Sequence, residues 1–175
     1  NPLVIGFQVL PASSVRNVPA AEMATKGGRF GALALVAPIG VKTGPVDRLD
    51  IPDIFAMRDA PLRELLYHDA EKGKVDPAAS EAALTAIAGN REKFAQVAWE
   101  PWMHNPKLAR RLGLLDIPTL VLRGDSDRMV TRDYAEAYAK LIAGARMQTI
   151  PAAGHFPHVE APAALAASII DFAAR

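Results

Sequence analysis

The sequence predicts an α/β fold: a mostly parallel sheet with helices on both faces and a helical insertion in its middle. Short apolar runs alternate with amphipathic segments at both ends of the 175-residue chain, as in buried parallel sheets. Residues 43–113 carry helix start and stop signals but no strand-like run. Polar residues directly follow the last two predicted strands, where such sheets bind ligands. We expect a core formed by residues 1–42 and 114–175 and a helical cap formed by residues 43–113.

The N-terminal core is predicted from two apolar runs. Residues 3–5 (LVI) predict a short strand, and residues 32–37 (ALALVA) predict a second one. Residues 20–25 (AAEMAT) are helix formers and are followed by two glycines, so a helix is expected there. Residues 7–18 have no clear period, and no element is assigned to them.

The cap is predicted as a series of short helices. Asp76-Pro77 is typical of a helix start and Gly89-Asn90 of a helix end, so one helix is expected between them. Arg91 to Met103 predicts a second helix. Its candidate buried side chains are Phe94, Val97 and Trp102.

The C-terminal core is predicted as strand, helix, strand, helix. Residues 119–122 (TLVL) and 147–150 (MQTI) predict the two strands. The helix between them has one apolar face, and so does the last helix. The two faces consist of Tyr134, Tyr138 and Leu141, and of Leu165, Ile169 and Phe172.

Asp127 and His155 follow these two strands and are candidates for a catalytic pair. A carboxylate can fix the tautomer of an imidazole and make it a general base near neutral pH. Because the carboxyl ends of parallel strands share one edge of the sheet, the fold would bring the two residues together. Separately, each residue has an ordinary interpretation, as an aspartate that caps a turn and as a surface histidine. Asp125 is the competing acid.

Two segments carry a resemblance to a known family. They are residues 117–130 (IPTLVLRGDSDRMV) and 151–162 (PAAGHFPHVEAP), and residues 98–172 as a whole resemble the C-terminal part of the α/β-hydrolase superfamily. The likeness is strongest to its capped esterases and carbon–carbon bond hydrolases. Residues 34–40 (ALVAPIG) resemble the strand after the nucleophile helix. The resemblance implies a partial α/β-hydrolase fold in which Asp127 is the triad acid and His155 the triad base.

The nucleophile position departs from the family pattern, because no Gly-x-Ser-x-Gly turn occurs in the chain. Counting forward from the first strand places Gln8 in the nucleophile slot, and an amide cannot serve there. Counting back from the helix at residues 20–25 places Ser14 there. Ser14 is the candidate nucleophile, but it can equally be an ordinary loop serine.

The function predicted from these residues is hydrolysis of a small ester, or of an activated carbonyl or carbon–carbon bond, through a Ser-His-Asp mechanism. Two alternatives stay open. The disrupted segment 7–18 favours a catalytically impaired relative that acts as a binding or interaction module. The strands that precede the nucleophile in the family, one of whose loops supplies half of the oxyanion hole, have no counterpart here, and the chain begins at Asn1 rather than Met. Both observations favour a fragment of a larger hydrolase.

Composition and spacing limit the partners. Twenty basic residues balance 19 acidic ones and the charges are interleaved, so we expect no nucleic-acid or membrane partner and a small-molecule substrate. His155 and His158 with Glu160 nearby could suggest a metal, but Pro157 would break a helix that aligned the imidazoles, so no metal and no cofactor are predicted. The lack of cysteine fits a reducing cytoplasm. A truncated sheet would expose an edge strand, which favours a homo-oligomer.

Overall fold

The structure is a computed structural model that describes the backbone of residues 3–7 and all of residues 30–174. Its centre is a parallel sheet with the strand order β1-β2-β3-β4. The strands are β1 (Leu3–Phe7), β2 (Ala32–Val36), β3 (Thr119–Gly124) and β4 (Arg146–Ile150). Each strand lies beside the next one in the chain, so the carboxyl ends of all four share one edge. The predicted parallel sheet is confirmed.

Helices follow or separate these strands. They are α1 (Asp59–Leu66), α2 (Glu81–Ala98), α3 (Leu108–Leu112), α4 (Arg132–Lys140), α5 (Pro157–Glu160) and α6 (Pro162–Ala173), with a 3₁₀ turn at Ala70–Gly73. Residues 43–113 contain helices and turns and no strand. Among the helices of the described part of the chain, none is both long and apolar enough to cross a bilayer.

The two faces of the sheet bury separate apolar clusters, because successive side chains of a strand point to opposite faces. Leu33 and Leu35 of β2 belong to the cluster that includes the tyrosines of α4. Ala34 and Val36 belong to the cluster formed with α6. The expected buried residues of these helices are found there: Tyr134 and Tyr138 on one side, Leu165, Ile169 and Phe172 on the other. Helices on both faces of the sheet are thus confirmed.

The predicted helix boundaries in the cap are wrong. Instead of two helices there is one of 18 residues, α2, which passes through Gly89-Asn90. The helix begins later than expected, because Asp76 Oδ1 accepts from Ala78 N–H and forms a turn. Ser80 supplies the cap, since its Oγ accepts from Ala83 N–H. A glycine inside a helix costs only about 1 kcal/mol relative to alanine, which a long helix tolerates.

The end of α2 also changes which side chains are buried. Val97 is 79% exposed, so its predicted burial is wrong, whereas Phe94 is partly buried against the larger cluster. Trp102 lies beyond the helix. Its indole N–H donates to the Ile51 carbonyl at 2.9 Å, and its ring is partly buried. The helical period of 3.6 residues identified the apolar positions of this segment. It did not show which face of the helix packs against the rest of the protein.

Candidate active site

The loops after β3 and β4 bring Asp127 and His155 together. Asp127 Oδ2 lies 3.0 Å from His155 Nδ1. The side chains are 0% and 1% exposed, so water does not screen the contact. A hydrogen bond at Nδ1 fixes the tautomer in which Nε2 carries the lone pair. Sequence analysis predicted this contact between residues that are 28 positions apart.

The Asp127 carboxylate is held by its own loop. Its Oδ1 accepts from Met129 N–H at 3.0 Å and from Val130 N–H at 2.8 Å. Oδ2 is left to face His155. The two backbone bonds therefore set the direction of the carboxylate before the imidazole is considered.

Arg123 supports the loop of Asp127 through buried hydrogen bonds. Sequence analysis did not predict this role. The residue is 5% exposed; its Nε donates to the Val130 carbonyl at 3.1 Å and its Nη2 to the Asp127 carbonyl at 2.8 Å. Buried arginine is uncommon without partners that use its donors. The signal in the sequence was a charged residue at the end of the apolar run of β3.

Backbone contacts fix His155. Its N–H donates to the carbonyl of Leu66, the last residue of α1, at 2.7 Å. Its ring meets the Phe156 ring edge to face, with 5.1 Å between centroids. His155 is therefore held both by the loop that carries Asp127 and by a segment of the predicted cap.

Asp125, the competing acid, has different partners. Its Oδ1 accepts from Ser126 Oγ at 2.9 Å. Burial would raise the pKa of Asp125, but hydrogen bonds from Ser126 and from the backbone of Ala152 and Ala153 outweigh it and hold the pKa below that of an ordinary aspartate. The carboxylate that bonds to His155 is that of Asp127.

The candidate nucleophile Ser14 and the alternative position Gln8 lie outside the described residues, as does the predicted helix at residues 20–25. Within residues 30–174, the contact between a serine and a histidine is that of Ser126 Oγ with His68 Nδ1, at 2.7 Å. Asp125 accepts a hydrogen bond from Ser126 and not from the His68 imidazole. That order differs from a Ser-His-Asp triad, in which the carboxylate orients the imidazole.

His158 lies beside the pair but on another element. Pro157 occupies the first turn of α5 and therefore starts a helix rather than breaking one, and His155 precedes that helix. Burial lowers the pKa of His158, and the nearby His155 lowers it further, so the neutral imidazole is favoured. The described residues contain no group of three or more His, Asp or Glu side chains suited to a metal ion.

An apolar cavity of about 270 Å³ lies between α1 and α2. Leu62 and Leu66 of α1 form one wall, and Ile87 and Phe94 of α2 form another. The lining also includes Asn90 and Arg91 but neither Asp127 nor His155. Its link to the pair is Leu66, whose main-chain carbonyl accepts from the His155 N–H.

A comparison with models of protein families identifies the family of this chain. Residues 3–168 match the model described as the alpha/beta hydrolase family. The chain belongs to that family. The match confirms the resemblance found in the sequence motifs, and it covers the sheet, the predicted cap and both loops of the site. No curated protein matches this alpha/beta hydrolase.

Solved structures share the fold at low identity. A membrane phospholipase A, described as a bacterial virulence factor, is 22% identical with a TM-score of 0.63; the alignment covers 87% of this chain and 52% of that one. The 2-hydroxy-6-oxo-6-phenylhexa-2,4-dienoate hydrolase of Rhodococcus sp. strain RHA1 is 20% identical, with a TM-score of 0.55 and coverage of 88% and 59%. An esterase from Exiguobacterium antarcticum is 14% identical, with a TM-score of 0.59 and coverage of 98% and 66%. The chain thus spans about half to two thirds of the length of these alpha/beta hydrolases.

Proposed function

We propose that this chain carries the acid and base of a serine hydrolase that cleaves a small ester or an activated carbonyl compound. The buried hydrogen bond between Asp127 and His155 supports the proposal most strongly. It is the geometry in which a carboxylate stabilises an imidazolium as it forms. Family membership and the strand-end position of both loops agree with it.

In the proposed mechanism, His155 Nε2 takes the hydroxyl proton of a serine as its oxygen attacks the carbonyl carbon. Asp127 stabilises the resulting imidazolium. The tetrahedral intermediate collapses when the C–O bond to the leaving group breaks, and the imidazolium gives its proton to that oxygen. Water then attacks the acyl-enzyme with His155 again as the base. The serine is Ser14 or one that this chain does not contain.

A fluorophosphonate probe tests the proposal, because it forms an adduct only with an activated serine. We expect an adduct on Ser14 that is lost in S14A and strongly slowed in H155A. Ser168→Ala is the control, since Ser168 Oγ donates to the Ala164 carbonyl away from the pair. An unlabelled chain that also fails to cleave p-nitrophenyl acetate would exclude Ser14 as the nucleophile and remove the catalytic claim for this chain, which would favour a binding module or a fragment that lacks the serine.

The cavity between α1 and α2 is proposed to hold the apolar part of the substrate. Its walls are mostly apolar, and Leu66 contributes to both the wall and the His155 hydrogen bond. Ile87→Trp would fill the cavity, so cleavage of p-nitrophenyl hexanoate is expected to fall about tenfold relative to the acetate. Val97→Trp is the matched control, because Val97 lies on the same helix but does not line the cavity. Equal losses for both esters would contradict this placement.

A further inference from the structure

Glu160 connects the loop of the base to a distant segment of the chain. Its Oε2 accepts from Gly154 N–H at 2.6 Å and from His68 N–H at 3.2 Å. Its Oε1 accepts from Asp69 N–H at 2.9 Å. One carboxylate thus satisfies three backbone donors, one of them on the residue before His155. Bonds to an ionised acceptor are about twice as strong as neutral ones.

The segment that Glu160 holds also contacts the loop of the acid. We call residues 64–69 the junction segment; they comprise the end of α1 and the residues after it. The carbonyl of Leu65 accepts from Arg128 N–H at 3.3 Å, and the Arg128 guanidinium donates to the Glu64 carbonyl. The carbonyl of Leu66 accepts from His155 N–H at 2.7 Å. The junction segment therefore contacts the residues next to Asp127 and His155 itself.

Packing at Gly154 is close. A Cβ there would meet Tyr67 Cα at 2.8 Å and His68 N at 2.9 Å, besides the Leu66 carbonyl. Because these are backbone atoms, they cannot move aside as a flexible side chain would. The Tyr67 ring packs on Phe156 at 5.1 Å between centroids. The loop that carries Gly154 and His155, called here the base loop, thus fits against the junction segment with little free space. Glu160 joins the two through its hydrogen bonds with Gly154, His68 and Asp69.

We propose that Glu160 is a positioning residue that fixes the base loop to the junction segment and so sets the His155 imidazole against Asp127. This inference rests on the proposed function for its kinetic consequence. Glu160 touches backbone donors and not the reacting atoms, so it acts through His155. It also sets the distance between His155 and the cavity wall, because Leu66 belongs to the junction segment.

The kinetic test compares E160Q with E136Q. A glutamine offers one carbonyl oxygen to three donors and directs its own N–H₂ toward one of them. We expect kcat of the full chain with p-nitrophenyl acetate to fall about 10- to 100-fold in E160Q, with KM changed less than about twofold. Glu136 is the control because it pairs with Arg132 on the surface of α4. Unchanged kcat in folded E160Q would overturn the proposal.

A second readout separates this proposal from the proposed function. In E160Q, we expect amide exchange of Gly154, His68 and Asp69 to accelerate about tenfold or more, and the downfield Nδ1 proton of His155 to broaden, whereas E136Q matches the wild type. If the wild type cleaves no ester, the proposed function fails and these two signals alone decide about Glu160. If E160Q does not fold, amide exchange in the wild-type protein tests the role of Glu160 instead. Exchange of its Gly154 and Asp69 amides at the unprotected rate would overturn the proposal.

Discussion

Arg123 donates from Nη2 to the main-chain carbonyl of Asp127 at 2.8 Å, below the loop whose carboxylate faces His155. The guanidinium also bonds to the Val130 carbonyl at 3.1 Å. Val130 N–H in turn donates to the Asp127 carboxylate at 2.8 Å. Arg123, at the end of β3, therefore links the two residues of this loop, Asp127 and Val130, that are also joined by the Val130 N–H.

Replacing Arg123 by methionine is expected to destabilise the protein by about 1–3 kcal/mol, because two buried carbonyls lose their donor. Urea denaturation monitored by circular dichroism measures the loss. Arg132→Met is the control, since Arg132 is exposed and pairs with Glu136, and surface pairs contribute little. Equal stability of the Arg123 variant and the wild type would contradict the bracing role.

Asp127→Asn is expected to lower kcat about a thousand- to ten-thousandfold with the fold intact. The asparagine carbonyl can still accept from Met129 and Val130, so the loop keeps its shape. Its N–H₂ would face His155 Nδ1 and favour the tautomer in which Nε2 carries the proton and cannot act as a base. Steady-state kinetics with p-nitrophenyl acetate measure the effect. Asp125→Asn is the control, and a loss under tenfold in Asp127→Asn would contradict the assignment.

Two glycine-to-alanine substitutions are expected to have opposite effects. Gly154→Ala places a methyl group against the backbone of residues 66–68 and should destabilise the protein by at least about 2 kcal/mol. Gly89→Ala meets no atom within 4 Å inside α2 and should stabilise it by about 0.5–1 kcal/mol. Unfolding free energies from urea titrations give both values. A tolerated alanine at position 154 would contradict the close fit of the base loop.

The sheet could be predicted because continuous apolar runs identify buried strands, and β2, β3 and β4 lie where residues 32–37, 119–122 and 147–150 indicated. The contact of Asp127 with His155 could be predicted because both follow parallel strands. These inferences depend on local patterns and one topological rule, but the choice of Asp127 over Asp125, which follows the same strand, came from the resemblance to the family.

The residues that position the pair could not be predicted in the same way. Glu160 accepts from the His68 N–H, 92 positions away in the chain. Nearly every residue type has a backbone N–H, so the sequence does not show which residues donate to Glu160. The junction segment contacts the loops of Asp127 and His155 through the main-chain carbonyls of residues 64–66. Every residue type has such a carbonyl, so these contacts could not be predicted from the side chains. The predicted boundaries of α2 were wrong because Gly89 is tolerated inside the helix, where a Cβ would meet no atom within 4 Å. Ser14 stays a prediction, since it lies outside the described residues.

Acid is expected to weaken the loop at residues 42–44 through Asp50. Its carboxylate accepts from Thr43 N–H at 2.6 Å, from Lys42 Nζ at 2.9 Å and from Gly44 N–H at 3.0 Å. Burial would raise the pKa of Asp50, but these bonds and the lysine charge outweigh it and hold the pKa below that of an ordinary aspartate. A carboxyl with a lower pKa in the folded state stabilises that state above the unfolded pKa and loses this effect as the pH falls through the folded value.

The prediction is therefore that Asp50→Asn is less stable than the wild type at pH 6 and that the gap narrows below about pH 4. Urea denaturation of both proteins at pH 8, 6, 4 and 3 measures the gap. The values at pH 8 and pH 6 serve as the internal control, because the carboxylate is ionised in folded and unfolded chains at both. A gap that stays constant down to pH 3 would show that the charge of Asp50 contributes nothing and that its hydrogen bonds alone hold the loop.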